Sequence, residues 1–109
     1  MRPVPYSDAM ALTARKLARG GAFLSAAGPT PNVMTIGWGA IGIFWNRPVF
    51  LAVVRPSRHT HGLILDSGEF TVSVPTGRDL KAELSFAGTA SGRDVDKFSG
   101  HGLTAAPAQ

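Results

Sequence analysis

Apolar and polar positions along this 109-residue chain change period several times, and each change marks a short element. From Ser7 to Ala18, Met10, Leu12, Ala14, Leu17 and Ala18 recur among polar residues, with Ser7 as the N-cap and Gly20-Gly21 as the stop. That pattern predicts an amphipathic helix. Ala22 to Ala27 and Asn32 to Gly39 read as two strands of a hairpin around the turn Gly28-Pro29-Thr30-Pro31. Asn46-Arg47-Pro48 predicts another turn, and the uncharged run Val49 to Val54 predicts a strand buried on both faces.

After Arg55-Pro56 the period returns to that of a helix. Ser57 is the expected cap, Leu63, Ile64 and Leu65 are the apolar positions within His59 to Ser67, and Gly68 is the end. Phe70, Val72 and Val74 alternate with Thr71 and Ser73, a half-buried strand closed by Pro75 and Gly77. Asp79 is placed to cap a third helix whose Leu80, Leu84 and Ala87 share one face, with Gly88 ending it. Asp94 to Phe98 predicts one more helical turn, and Leu103 to Gln109 a small polar tail. Four strands are too few to cover the edges of a barrel or sandwich. Either a second chain supplies the edge, or residues 1–109 form the front portion of one larger domain; the second reading is preferred for a reason given below.

Composition narrows the class. At 11.4 kDa, with 44% hydrophobic and 17% charged residues, the chain suits one packed domain rather than a disordered tail or coiled coil. Its 13 Gly and 8 Pro cut it into short elements. Without Cys there is no disulfide framework, Cys-ligated metal or thiol nucleophile in the chain, and the cytoplasm is the expected compartment. The charge-free stretch between Arg19 and Arg47 is not a membrane span, because six Gly and two Pro interrupt it. Arg15, Lys16 and Arg19 precede the apolar Ala22 to Ala27, but that patch is short for an export signal.

Lys plus Arg outnumber Asp plus Glu by 11 to 7, giving a net charge of +4 and favouring anionic partners. Eight of the basic residues are Arg, which suits bidentate recognition of phosphate or carboxylate. The sharpest candidate is Arg55-Pro56-Ser57-Arg58-His59-Thr60-His61, where a strand gives way to a helix start. Unpaired N–H groups there carry partial positive charge, and two Arg with two hydroxyls complete an inventory for a phosphate monoester. The plainer alternative makes Ser57 a simple cap and leaves Arg55 and Arg58 in solvent.

A second candidate is Asn32 to Gly39, where Gly37 and Gly39 in a strand mark a bulge or a ligand's close approach, and Trp38 could cover a flat ring. Its alternative is a core Trp beside tight sheet packing. The third is the Gly-flanked loop from Gly88 to Phe98, with Arg93 and Lys97 at hand, or else an ordinary loop held by Arg93–Asp96 or Asp94–Lys97 pairing. His59 and His61 do not make a metal site, since residues two apart on a helix diverge and no third ligand is indicated. No G-x-S-x-G supports a hydrolytic triad. A basic β domain stacking bases on Phe44, Trp45 and Phe50 is an open competitor, although no K/R-rich or RNP-like block occurs.

Taken together, N-V-M-T-I-G-W-G, the W-N-R-P turn, V-R-P-S-R-H-T-H, G-E-F-T-V-S-V-P and S-G-R-D-V-D-K-F follow one another from about Gly21 to Leu103. In this order they resemble the flavin reductase-like family of FMN-binding split β-barrels, in particular its flavoredoxin-type members. The resemblance implies a mainly β fold with short helices, here an incomplete split barrel representing its N-terminal part. It implies FMN as cofactor, with Thr35, Ile36, Gly37 and Trp38 beside the isoalloxazine and Arg55, Ser57, Arg58, Thr60 and His61 at the phosphate. Ser91, Gly92, Arg93, Asp94 and Lys97 match the family's third block, whose loop lies near the flavin.

It further implies NAD(P)H as electron donor, an oxidoreductase that passes electrons through flavin to an acceptor, and a homodimer with flavin near the subunit interface. An FMN-holding electron carrier without NAD(P)H activity is the alternative. No catalytic acid or base is required in this scheme, because the flavin carries the bond-making chemistry. The chain departs from the family where relatives often have Cys just before the Gly of the third block; here stands Ala87. The family's domain also continues through further strands beyond the point matching Gln109, which accounts for the strand shortage. Flavin affinity and dimerisation are therefore expected to be reduced or absent in this length.

Overall fold

A computed structural model of the protein describes residues 5–75, 80–94 and 96–98. The elements follow the order α1 (Tyr6–Ala18), β1 (Ala22–Ala26), β2 (Asn32–Ile36), β3 (Gly39–Phe44), β4 (Arg47–Ala52), α2 (His59–Ser67), β5 (Thr71–Ser73) and α3 (Lys81–Thr89). They build two antiparallel sheets: a three-stranded one in the order β2-β1-β5, and the ribbon β3-β4. No closed barrel forms among the described residues. The fold is thus mixed, with antiparallel sheets and short helices.

Strand β1 holds the centre because its side chains are apolar on both faces. Ala22 and Leu24, at 0% exposure, join Met34 and Ile36 of β2 on one face, against Leu17 of α1, Phe50 and Ala52 of β4, and Ile64 of α2. Phe23 and Val33 point to the other face and meet Leu84 and Ala87 of α3. The larger sheet is therefore sandwiched between α3 and a layer made of the ribbon, α1 and α2.

Several expectations are corrected here. Five strands form among the described residues rather than four. The missed strand is β3, because the turn is Trp45-Asn46, with φ of 53° and 59°, rather than Asn46-Arg47-Pro48. Both residues sit in the left-handed region that a two-residue type I′ hairpin demands, a role usually signalled by Asn-Gly. Pro48 is then a strand residue opposite Ile43, tolerated because a two-stranded ribbon has only edges.

Nor is β4 buried on both faces. Phe50, Ala52 and Val54 pack inward, while Leu51 and Val53 are 55% and 53% exposed. Only one face of the ribbon meets the larger sheet. Pro5, not Ser7, is the N-cap of α1, and Arg58, not Ser57, is the N-cap of α2; neither helix has a side-chain cap bond. Helix α2 does end at Gly68, whose φ of 74° lets its N–H reach Ile64 O at 2.7 Å. Helix α3 runs through Gly88 to Thr89. Residues 91–94 form a turn closed by Asp94 N–H to Ser91 O at 3.0 Å, and no helix follows it among the described residues. Gly77, the Asp79 cap, Val95 and the 103–109 tail lie outside the described residues.

The division between inner and outer faces is measurable. Leu24→Ala is expected to cost about 2–5 kcal/mol of unfolding free energy, and Leu51→Ala within about 0.5 kcal/mol of zero, read from urea denaturation of both variants. Equal losses would contradict the packing described.

Candidate functional site

Two of the candidate segments meet at the free edge of β2. β1 occupies one side of β2, and no strand pairs its other edge among the described residues. Val33 O points outward to accept Lys97 Nζ, and the alternation of an antiparallel pair puts the main-chain groups of Thr35 on that same edge. Beyond Ile36 the chain turns through Gly37 and Trp38 into β3, and Trp38 O accepts Val53 N–H at 3.4 Å. That contact brings the exit of β4, and with it Arg55 to Arg58, alongside Trp38.

The result is a cavity of about 300 Å³ whose lining includes Thr35, Ile36, Gly37, Trp38, Arg55, Ser57 and Arg58. Trp38 is 60% exposed rather than a core residue, and the Arg55 guanidinium lies 5.1 Å from its ring centroid, a cation–π contact. The two glycines differ. A Cβ on Gly39 would stand 2.8 Å from Leu51 O, so its bareness serves strand packing, whereas one on Gly37 would meet nothing nearer than Leu17 O at 3.9 Å. Gly37 leaves open space at the cavity.

Ser57 and Arg58 also border a second cavity of about 200 Å³, together with Thr60, Ser91, Gly92, Arg93 and Lys97. Among the described residues, no Asp or Glu lines either cavity. His61 and Asp94, the remaining candidates, line neither; the His61 N–H bonds Arg58 O at 3.0 Å in the first turn of α2. The simple alternative holds here only for Arg55, which is exposed, and fails for Ser57 and Arg58. Ser57 does not cap α2, and its carbonyl instead accepts Arg93 Nη1 at 3.0 Å. Arg58 is not left to solvent: its Nη1 donates to Gly88 O at 3.1 Å and its Nη2 to Ala87 O at 3.4 Å. A guanidinium has five N–H donors, so Arg58 retains donors for a further acceptor.

Lys97 is the residue whose environment the sequence hid. It is 1% exposed, and its Nζ donates to Val33 O at 2.8 Å and Ala87 O at 2.9 Å. Burial first, and the nearby Arg58 charge second, lower its pKa from 10.5 to about 8. Where one alternative paired Lys97 with Asp94, its Nζ bonds these two carbonyls.

Buried polar side chains complete the frame. Asn32 Nδ2 donates to Thr60 Oγ1 at 2.8 Å, and Thr35 Oγ1 donates to Leu84 O. Gly92 packs so tightly on this frame that a Cβ would fall 2.5 Å from Asn32 Oδ1 and 2.7 Å from the His59 ring. From sequence Asn32 opens a strand and the second candidate segment, without a role of its own. Among the described residues no group of His, Asp and Glu is arranged to hold a metal ion, and no helix is long and apolar enough to cross a membrane.

This fold and edge site define a known class. The model of the flavin reductase like domain matches residues 14–109, and the chain belongs to that family. Among solved structures it resembles flavoredoxin of Desulfovibrio vulgaris (Miyazaki F), with a TM-score of 0.73 and 29% identity over 81% of this chain and 48% of that one. An uncharacterized protein of Archaeoglobus fulgidus is 39% identical over 74 residues, which are 68% of this chain and 41% of that protein. The chain thus spans less than half the length of both relatives.

The lowered Lys97 pKa fixes the sign of a pH effect. Between about 8 and 10.5 the unfolded chain holds a proton on Lys97 that the folded chain releases, so this group's contribution to stability rises with pH across that window. The neutral amine keeps two donors for its two carbonyls. Urea midpoints of the wild type and Lys97→Met, compared from about pH 7 to pH 10, should show the wild type gaining on the variant. A difference independent of pH would refute the assignment.

Proposed function

We propose that the chain is an FMN-binding redox module of the flavin reductase type, in which electrons from NAD(P)H pass through flavin to an acceptor. The observation that carries this reading is the cavity joining Thr35, Ile36, Gly37 and Trp38 to Arg55, Ser57 and Arg58, with no acid lining it among the described residues. FMN is a flat ring with a polar edge, a polyol chain and a phosphate dianion, and the residues present fit each part. Trp38 and the open space at Gly37 suit the ring, while the outward main-chain groups of Thr35 suit its polar rim and Ile36 adds to the cavity wall. Arg55, Ser57, Arg58 and Thr60, with the uncapped N–H groups opening α2, suit the phosphate.

His61 sits in the first turn of α2 and would add to that end. Ser91, Gly92, Arg93 and Lys97 wall the second cavity, with Lys97 chiefly holding the wall in place, and Asp94 closes the 91–94 turn behind them. Bound flavin would supply the two-electron chemistry; the protein's part is to position it and to offset its charge. Arg58 and Arg93 have their own anchors on carbonyl groups, which keeps the cationic corner preformed before a ligand arrives.

Two copies pairing through the apolar outer face of β4, where Leu51 and Val53 are exposed, would fit the family's homodimer. A single partial domain in the cytoplasm remains the reading for the chain as a whole. The competing nucleic-acid surface loses support, because Phe50 packs on the core while Phe44 and Trp45 stand at the ribbon tip.

Titration of purified protein with FMN, followed by the visible flavin bands and flavin fluorescence, should show saturable binding. Arg55→Gln should weaken FMN about tenfold, the scale of one charge-assisted bond, and riboflavin, which lacks phosphate, much less. No flavin binding at all would overturn the proposal. Oxidation of NAD(P)H in the presence of FMN separates a reductase from a carrier, which binds flavin but does not turn over.

A further inference from the structure

Asn32 and Thr60 form a buried polar pair behind the cationic corner. Asn32, the first residue of β2, is 3% exposed, and Thr60, in the first turn of α2, is 1% exposed. A strand that opens after Pro31 needs no amide side chain, and burying one is costly unless its groups are bonded. Here the Asn32 Nδ2 donates to Thr60 Oγ1 at 2.8 Å, between residues 28 apart in sequence. Gly92 backs the amide on its Oδ1 side. A Cβ at Gly92 would lie 2.5 Å from Asn32 Oδ1 and 2.6 Å from its Cγ, so the bare backbone of the 91–94 turn fits against the amide as it stands.

An NH2 group can only donate, so Thr60 Oγ1 is the acceptor and its own proton must point away from Asn32. A helical threonine commonly gives that proton to a carbonyl one turn back, as Thr89 does to Ser85 O at 2.8 Å. Thr60 does not. Among the described residues, the one hydrogen bond of its hydroxyl is the bond accepted from Asn32. Thr60 lines the cavity of about 200 Å³ together with Ser57, Arg58 and Arg93, and an acceptor for the unspent proton can sit there.

We propose that Asn32 is a positioning residue for phosphate recognition: by donating to Thr60 Oγ1, it turns the threonine proton toward the phosphate monoester of the flavin. This role rests on the FMN reading above and adds to it a residue that acts through another. The bond from Asn32 also polarises the hydroxyl, which makes it a stronger donor. Without the amide, Thr60 is free to turn its proton back to the α2 backbone, and the phosphate loses a charge-assisted bond.

Dissociation constants for FMN and riboflavin, read from flavin fluorescence, give for each variant the affinity that the phosphate adds. Asn32→Leu, close in size, should weaken FMN about fivefold, the scale of one hydrogen bond, and leave riboflavin within about twofold. The same substitution should again cost about fivefold on a Thr60→Ser background, which keeps the hydroxyl, and nothing further on Thr60→Val, which lacks it. Gly92→Ala, which must displace the amide, should lower FMN affinity in the same phosphate-dependent way, and it carries the test if Asn32→Leu does not fold by circular dichroism. A merely structural role would weaken FMN and riboflavin alike, or shift only the urea midpoint. Either result overturns the proposal, as does an undiminished loss on Thr60→Val. A wild type that prefers FMN to riboflavin, with the same preference in Asn32→Leu, sinks this role alone; a wild type that binds no flavin sinks the FMN reading and this role together.

Discussion

The organisation of the site depends on the carbonyls left without helical partners at the C-terminal end of α3. Ala87 O accepts both Arg58 Nη2 and Lys97 Nζ, and Gly88 O accepts Arg58 Nη1. The last carbonyls of a helix lack partners of their own and carry partial negative charge, so two cations can converge there. One reaches in from the start of α2 and the other from beyond the 91–94 turn, and Lys97 continues on to the free edge of β2 through Val33 O. Three segments distant in sequence are thereby joined by one helix end.

That junction has an electrostatic consequence. Arg58 and Lys97 repel each other, which contributes to the lowered Lys97 pKa, and the carbonyls offset the repulsion only in part. With Arg55 and Arg93 close by and no acid lining either cavity among the described residues, these residues give the corner a positive field. An arriving anion would relieve it. The structural clamp and the proposed phosphate site therefore share residues, and the same arginine serves both because it has more donors than the carbonyls use.

Much of the scaffold could be read in the chain because it rests on local rules. The helix stop at Gly68, the strand pair around Gly28 to Pro31 and the alternation of Phe70 to Val74 each follow from turn chemistry and side-chain period, although the last shrinks to Thr71–Ser73 as hydrogen-bonded strand. The cationic cluster at positions 55 to 58 and the stretch from Thr35 to Trp38 were visible as candidates and stand around one cavity. The ribbon turn at Trp45-Asn46 was not visible, since Trp rarely takes a left-handed conformation, although Asn does so more readily, and it is the pairing of β3 with β4 that fixes it. The same holds for β4, whose uninterrupted apolar run looks identical whether one face or two are covered.

What the amino-acid order determined by itself is the set of elements, the excess of arginine and the family to which the ordered blocks point. Those depend on neighbours a few residues apart. Which polar groups are buried, and what they hold, was decided only when distant segments met: Lys97 on carbonyls of β2 and α3, Asn32 on Thr60, and Gly92 against both Asn32 and His59. A lysine in a loop carries no local mark of burial. Its partners are main-chain carbonyls, which every residue possesses, so only the folded geometry selects them.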